Sequence, residues 1–394
     1  MPGMQTLRAL IVGITCFALG VAVTRYYDVH RLPLTQVAQT ARPAEQPKQA
    51  EASVVINFES EPLWAYGFDT IRMPDETAKP QAPPNRNLRP NEDAAEQTRP
   101  RSLEGSRATY SLVDVRDGQN VIDWFPGDHP QMPKVVQHGP AALGAKTRGC
   151  GSCHLPNGKG RPENAGVAGL PVSYFMKQIQ DFRSGKRHSA DPRKPNTNTM
   201  IELAKSLSDQ ELQEAAEYFG AQKWTPWIRI VESDMVPKTR ISGNLFLPLE
   251  PTKTQPTAGR IIEMPENEEQ AESYRNPHSG FVAYVPPGSI EKGKDLVTTG
   301  GARVVGKEFI RGKTTPCITC HGQDLMGVAD IPPIAGRSPS YMVRQMWDIQ
   351  QGTRNSEAAQ LMKLVMANLT PEDMVEIAAY VASRPPVKTG NSTD

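Results

Sequence analysis

Apolar positions along this 394-residue chain follow three different patterns. Ala9 to Thr24 is one charge-free, mostly apolar run. In two later stretches the spacing is helical: Phe175, Ile179 and Phe182 recur at i, i+4 and i+7, as do Met342, Met346 and Ile349, so each trio lines one helix face. Leu212, Ala215, Ala216 and Phe219 mark a further amphipathic helix, as do Met374, Ile377, Ala378 and Val381. Both of these open on a capping signature, Ser208–Asp209–Gln210–Glu211 in one and Thr370–Pro371–Glu372–Asp373 in the other. Gly185 and Gly352 are placed to end the earlier pair. Between the helical stretches, WIRIVE, GRIIEM and GFVAYV are short β-prone runs separated by Pro- and Gly-rich turns, and TYSLVDV and NVIDWF lean the same way before the first stretch.

The helical stretches are copies of each other. Cys150 and Cys317 are 167 residues apart, and the same offset relates Gly160 to Gly327, Gly169 to Gly336, Tyr174 to Tyr341, Gln178 to Gln345, Gly185 to Gly352 and Arg187 to Arg354. Beyond the arginines the offset becomes 162, because the first copy carries five extra residues around His188 to Thr199; Leu207 then matches Leu369 and Tyr218 matches Tyr380. Each copy reads as a cysteine motif, a loop, a helix, a loop and a capped helix, an all-α plan.

The motif is Cys150–Gly151–Ser152–Cys153–His154 in one copy and Cys317–Ile318–Thr319–Cys320–His321 in the other. Two thiols three positions apart, followed at once by a histidine, clamp a porphyrin through two thioether bonds while the imidazole ligates its iron, which is the c-type haem attachment signature. The motifs use four of the chain's 5 cysteines. Zinc binding would need the two CxxC pairs to converge on one ion, yet each has its own adjacent histidine; a thioredoxin-like pair would need a βαβ setting that the flanks do not offer.

An iron held by one histidine needs a sixth ligand, and its identity selects the function: Met or His for electron transfer, an open position for binding or catalysis. Met200 and Met362 coincide in the repeat register, each seven residues before its matched leucine. A single methionine is ordinarily core filling; two at one repeat position point to axial ligands. Met366 competes with Met362, although its counterpart is Ala204, and His188 competes with Met200. His129, His138 and His278 lie outside the repeats and read as solvated or structural.

Composition changes the picture at the N-terminal side. With 36 Pro and 31 Gly against 38% hydrophobic residues, much of the chain must be linker. Residues 1–33 read as a signal segment or membrane helix, with Tyr26–Tyr27 favouring an uncleaved anchor, and Cys16 within it as a buried thiol. Residues 34–108 read as a mostly disordered tether, interrupted at 54–73 by an aromatic island that is either a docking segment or a strand on the first haem domain. The first haem domain is expected at 109–223, an extended β insertion at 224–287, the second haem domain at 288–386 and a disordered tail at 387–394. A formal net charge of +1 argues against nucleic-acid binding. Lys146, Arg148, Lys159 and Arg161 bracket the first motif and Lys307, Arg311 and Lys313 precede the second, either as ordinary solvated surface or as a field steering an acidic partner.

The residues CITCHG, IPPIAGRSPSY, Gly352, Met362 and LTPEDMVEIAAYVAS, matched in the first copy by CGSCH, GLPVSY, Met200 and LSDQELQEAAEYF, resemble the class I c-type cytochromes. The tandem arrangement is similar to the dihaem cytochromes of the c4 kind, over about half the chain. The resemblance implies a mainly α fold with two covalently bound haem c groups, attached through Cys150, Cys153, Cys317 and Cys320, with His154, Met200, His321 and Met362 as axial ligands. It also implies that Pro332 or Pro333 supplies a backbone carbonyl to His321; Ala165 and Gly166 stand at those positions in the first copy, so His154 is expected to use another carbonyl or a weaker contact. The second copy has the family's N-terminal helix, SIEKGKDLVTTG, whereas the first has only PAALGAKT.

These readings lead to electron transfer on the periplasmic side of the bacterial inner membrane, with no substrate bond broken and with a dehydrogenase, an oxidase or another cytochrome as redox partner. A second reading is the cytochrome subunit of a periplasmic dehydrogenase complex. A third, a dihaem peroxidase, requires one haem to open a coordination site, against which two matched methionines argue.

Overall fold

The computed structural model describes residues 60–70, 72 and 88–387. The expected signal or anchor segment lies outside the described residues, as do most of the tether and positions 388–394 of the tail. Among the described residues no helix is long and apolar enough to cross a membrane.

The aromatic island forms a one-turn helix, α1 (Leu63–Tyr66), closed by Gly67 in the left-handed conformation. Its Ala65 and Tyr66 are buried in the core of the second repeat, together with Met346 and Trp347. It is therefore a docking helix on the second copy, where the sequence suggested docking or a strand on the first. Residues 88–108, assigned by composition to the tether, hold α2 (Ala94–Thr98) and a β-bridge from Arg101 to Tyr110. The polar stretch is held by its own hydrogen bonds: buried Gln97 donates to the Arg89 and Glu92 carbonyls. TYSLVDV forms α3 (Leu112–Val115) instead of a strand, because Ser111 and Asp114 close a reciprocal capping box, and NVIDWF lies outside helices and strands.

The first repeat continues through α4 (Lys134–His138), α5 (Gly151–His154), α6 (Val172–Arg183), α7 (Pro195–Ser206) and α8 (Asp209–Gly220). The insertion follows as β1 (Ile228–Glu232), β2 (Met235–Ser242), β3 (Leu245–Pro256), β4 (Ile262–Pro265) and β5 (Phe281–Val285). WIRIVE, GRIIEM and GFVAYV supply β1, β4 and β5, a three-stranded sheet in the order β1-β5-β4 with β1 parallel to β5. The long β2–β3 hairpin turns on Gly243–Asn244, both at positive φ, the requirement of a tight two-residue hairpin turn.

The second repeat comprises α9 (Ser289–Thr299), a short hairpin of β6 (Arg303–Val305) and β7 (Glu308–Ile310), then α10 (Ile318–His321), α11 (Pro339–Gln350), α12 (Ala359–Met366) and α13 (Pro371–Ser383). The bounds of α6 and α11 are 167 residues apart at both ends, and α8 and α13 start 162 apart, so the sequence register survives in the helices. Gly185 and Gly352 follow their helices at φ 73° and 74°. One helix per copy, α7 and α12, lies where the pattern suggested only a loop. The crossing of α9 on α13 depends on Gly293: a Cβ there would stand 1.9 Å from the Glu376 carbonyl oxygen.

Candidate functional site

Each CxxCH segment is a single helical turn. In α5 and α10 the histidine N–H bonds back to the carbonyl of the first cysteine, at 3.0 Å in both copies, so both thiols and the imidazole are carried on one short rigid unit. None of the four cysteines is in a disulfide. Burial pushes the Cys150 thiol up to about 12 and the Cys317 thiol to about 11, so both are neutral thiols in the unligated chain. Among the described residues no three His, Cys, Asp or Glu side chains converge as a metal cluster.

His154 Nδ1 lies 2.8 Å from the Ala165 carbonyl oxygen, and His321 Nδ1 lies 2.9 Å from that of Pro332. Pro332, and not Pro333, is thus the acceptor in the second copy. The first copy uses the corresponding position, so the expectation of a different or weaker contact for His154 is corrected: the acceptor is a main-chain oxygen, which alanine supplies as well as proline. Burial lowers both imidazoles below the ordinary histidine value. A neutral ring donating through Nδ1 leaves its Nε2 lone pair for a metal. The first acceptor loop is also tied to the second copy. Arg337 stacks on Trp224 and donates to the Gly166 and Ala168 carbonyls at 2.8 and 2.9 Å, while Gly166 leaves space that a Cβ would take from the Trp224 ring.

Met200 sits on α7 and Met362 on α12, both half-buried and packed against the cores of their own copies. Met366 is buried in the core, one turn beyond Met362. His188 is exposed; its backbone N–H donates to Thr353 across the repeat junction and its ring faces the Ser189 carbonyl.

At that junction lies a feature that the repeat offsets contained but did not interpret. Arg187 and Arg354 form an antiparallel bridge, and each reaches the opposite copy: Arg187 to Tyr341 and Gln345 at 3.1 and 2.8 Å, Arg354 to Tyr174 and Gln178 at 2.7 and 2.8 Å. Among the described residues neither guanidinium has a carboxylate at ion-pair distance, and the Arg354 Nε has no hydrogen-bond partner. Burial opposes ionisation of Tyr174, yet the two arginines hold its hydroxyl below the ordinary tyrosine value. Two arginines without a carboxylate partner among the described residues, set beside two phenols, fit the carboxylates of a porphyrin. Of the basic residues bracketing the motifs, Arg161 is paired with Glu163 and Glu272, and Lys313 with Asp373.

The Cytochrome c family model matches residues 291–385, the second repeat. Cytochrome c-554(548) of Halomonas halodenitrificans is 36% identical over 73 residues, which is 88% of that protein and 18% of this chain. This chain belongs to the c-type cytochromes. Its cofactor is covalently bound haem c. Longer matches cover more of the chain. Cytochrome c4 of Pseudomonas aeruginosa is 24% identical over 248 residues, 62% of this chain and 88% of that protein. A "Thiosulfate dehydrogenase electron acceptor" of Stutzerimonas stutzeri is 25% identical over 279 residues, 71% of this chain and 91% of that protein. The solved reduced cytochrome c4 of Pseudomonas stutzeri aligns with a TM-score of 0.38 at 20% identity, covering 60% of this chain and 93% of that one.

Proposed function

We propose that this chain is a periplasmic dihaem electron carrier, with haem attached through Cys150 and Cys153 in the first copy and Cys317 and Cys320 in the second. The axial pairs in this reading are His154 with Met200 and His321 with Met362. The carrying observation is the repetition of one complete unit: a cysteine-bearing turn, a histidine oriented by a main-chain carbonyl at 2.8 or 2.9 Å, and a methionine on the following helix.

Bound haem supplies a one-electron exchange between ferric and ferrous iron. The chain's part is to fix the imidazoles, exclude water from them and hold the two sites at a set separation. The carbonyls of Ala165 and Pro332 orient the rings, and the Arg187–Arg354 junction ties the copies together without an intervening linker. Redox titration of the purified protein, followed in the visible and near-infrared, tests this. Two haems per chain and a methionine–ferric charge-transfer band from each are expected. A single haem overturns the reading, and reduced-haem carbon monoxide binding before any mutation overturns it in favour of a peroxidase.

A more specific reading makes a periplasmic dehydrogenase the electron donor. The relative described as a thiosulfate dehydrogenase electron acceptor supports it, since the similarity covers 71% of this chain and 91% of that protein. Reduction of the oxidised protein by such an enzyme with thiosulfate as substrate is the direct check.

A further inference from the structure

Glu61 precedes α1 in the segment docked on the second repeat. Its side chain is fully enclosed, and among the described residues neither carboxylate oxygen accepts a hydrogen bond; the Nε of Arg72 stands 3.8 Å away. An enclosed carboxylate without hydrogen bonds is costly to keep charged. The two carboxylates nearest to it are better held. Asp348 accepts from the Tyr66 hydroxyl at 2.6 Å and from the Ala190 N–H at 2.9 Å, and Asp191 is paired with Arg193 at 2.7 Å. Of the three, Glu61 is therefore the one that takes a proton at least cost. Burial and the charge of Asp191 push it up to about 7, against the opposing charges of Arg72 and Arg193.

Two further observations connect this group to solvent and to the haem. Glu61 lines a cavity of about 430 Å³ whose other walls include Trp64, Lys292, Glu372 and Glu376, with Lys292 bound to Glu376 at 3.1 Å. A polar space of that size admits water and hence protons. On the inner side, Ala65 and Tyr66 belong to the apolar cluster against which Cys317, Ile318 and Met362 pack. A charge change on one side of such a medium is felt on the other more strongly than through water.

We propose that Glu61 takes up a proton from solvent when the second haem takes up its electron, so that reduction of this cytochrome is coupled to proton binding. The redox partner supplies the electron, the iron goes from ferric to ferrous, and one O–H bond forms on the Glu61 carboxylate; no other bond changes. The added negative charge on the haem favours the protonated acid, and on oxidation the proton returns to the cavity. Asp191, Arg193 and Lys194 from the loop before and the start of α7, Arg344 and Asp348 from α11, Arg72, and Lys292, Glu372 and Glu376 across the cavity set the working range.

The inference rests on the two-haem reading, and one experiment separates their failures. Redox titrations of the full holoprotein at a series of pH values are expected to show the second haem's potential falling with rising pH around 7, approaching one proton per electron. Glu61→Gln should flatten that slope, and Glu61→Asp should keep it with a displaced midpoint. Reduced-minus-oxidised infrared spectra of the wild type should show a protonated carboxyl band appearing on reduction, which keeps the test available if Glu61→Gln does not fold. A pH-independent potential, an unchanged slope in Glu61→Gln, a slope lost instead in His188→Gln, or no carboxyl band overturns the proposal. Haem count and the methionine charge-transfer bands come from the same titration and judge the ligation reading independently.

Discussion

The residues that define this site work through main-chain oxygens as much as through side chains. Pro332 and Ala165 present the same carbonyl to their histidines, at 2.9 and 2.8 Å, although only one carries the ring expected there. What differs between copies is the methionine's setting: Met362 packs against the large second core, Met200 against a smaller cluster with Ile179, Phe182 and Leu212. If Met362 ligates iron, Met362→Ala opens the second haem alone. Carbon monoxide difference spectra of the reduced variant should show one carbon monoxide per chain, with loss of one of two charge-transfer bands and a lowered potential for that haem. Two unaffected bands would point to Met366, whose buried position already argues for a packing role.

At the scale of elements, a buried carboxyl is one of the links between the β insertion and the helices of the second repeat. Glu263 on β4 accepts from the Ser338 hydroxyl at 2.8 Å and from the Ser340 N–H and hydroxyl at 3.1 and 2.6 Å, at the start of α11. Burial pushes it up to about 7 despite these donors. With the folded value above the unfolded one, its stabilising contribution is complete below the ordinary carboxyl range and is lost as pH rises through 7. Thermal unfolding midpoints of the wild type should therefore fall as pH rises through 7, and Glu263→Gln should remove part of that fall. The difference between the pH extremes should be on the order of 1–3 kcal/mol. An identical pH profile in both proteins would show that Glu263 is ionised at neutral pH.

For the whole molecule, the junction of the two repeats places one cation near groups of both copies. Arg187 is close enough to His154 to depress its protonation and close enough to Asp348 to favour that carboxylate, so one cation acts on both copies. Arg187→Gln should keep a polar contact to Gln345 while removing the charge. Both haem potentials should drop, each by on the order of 1 kcal/mol, because a nearby cation disfavours the ferric state. A drop in only one haem, read from the same two-haem titration, would place the arginine's field within a single copy.

Spacing in the chain was enough for the chemistry that is local. Two cysteines and a histidine within five residues fit on one helical turn, and a capping box before an apolar stripe favours a helix start; both form here. The repeat offsets carried the helix pairs for the same reason, since equal spacing of like residues reproduces equal elements. Residues 88–108 and TYSLVDV show the limit: composition and β-propensity gave way to Gln97 hydrogen bonds and to the Ser111–Asp114 cap. Only the tertiary structure decided that Tyr66 docks on the second repeat, that Arg187 and Arg354 meet, and that Glu61 is enclosed without a hydrogen-bond donor among the described residues. Those facts depend on residues more than a hundred positions apart, and which of them share a low-dielectric interior is set by the packing of whole elements, to which no local period refers.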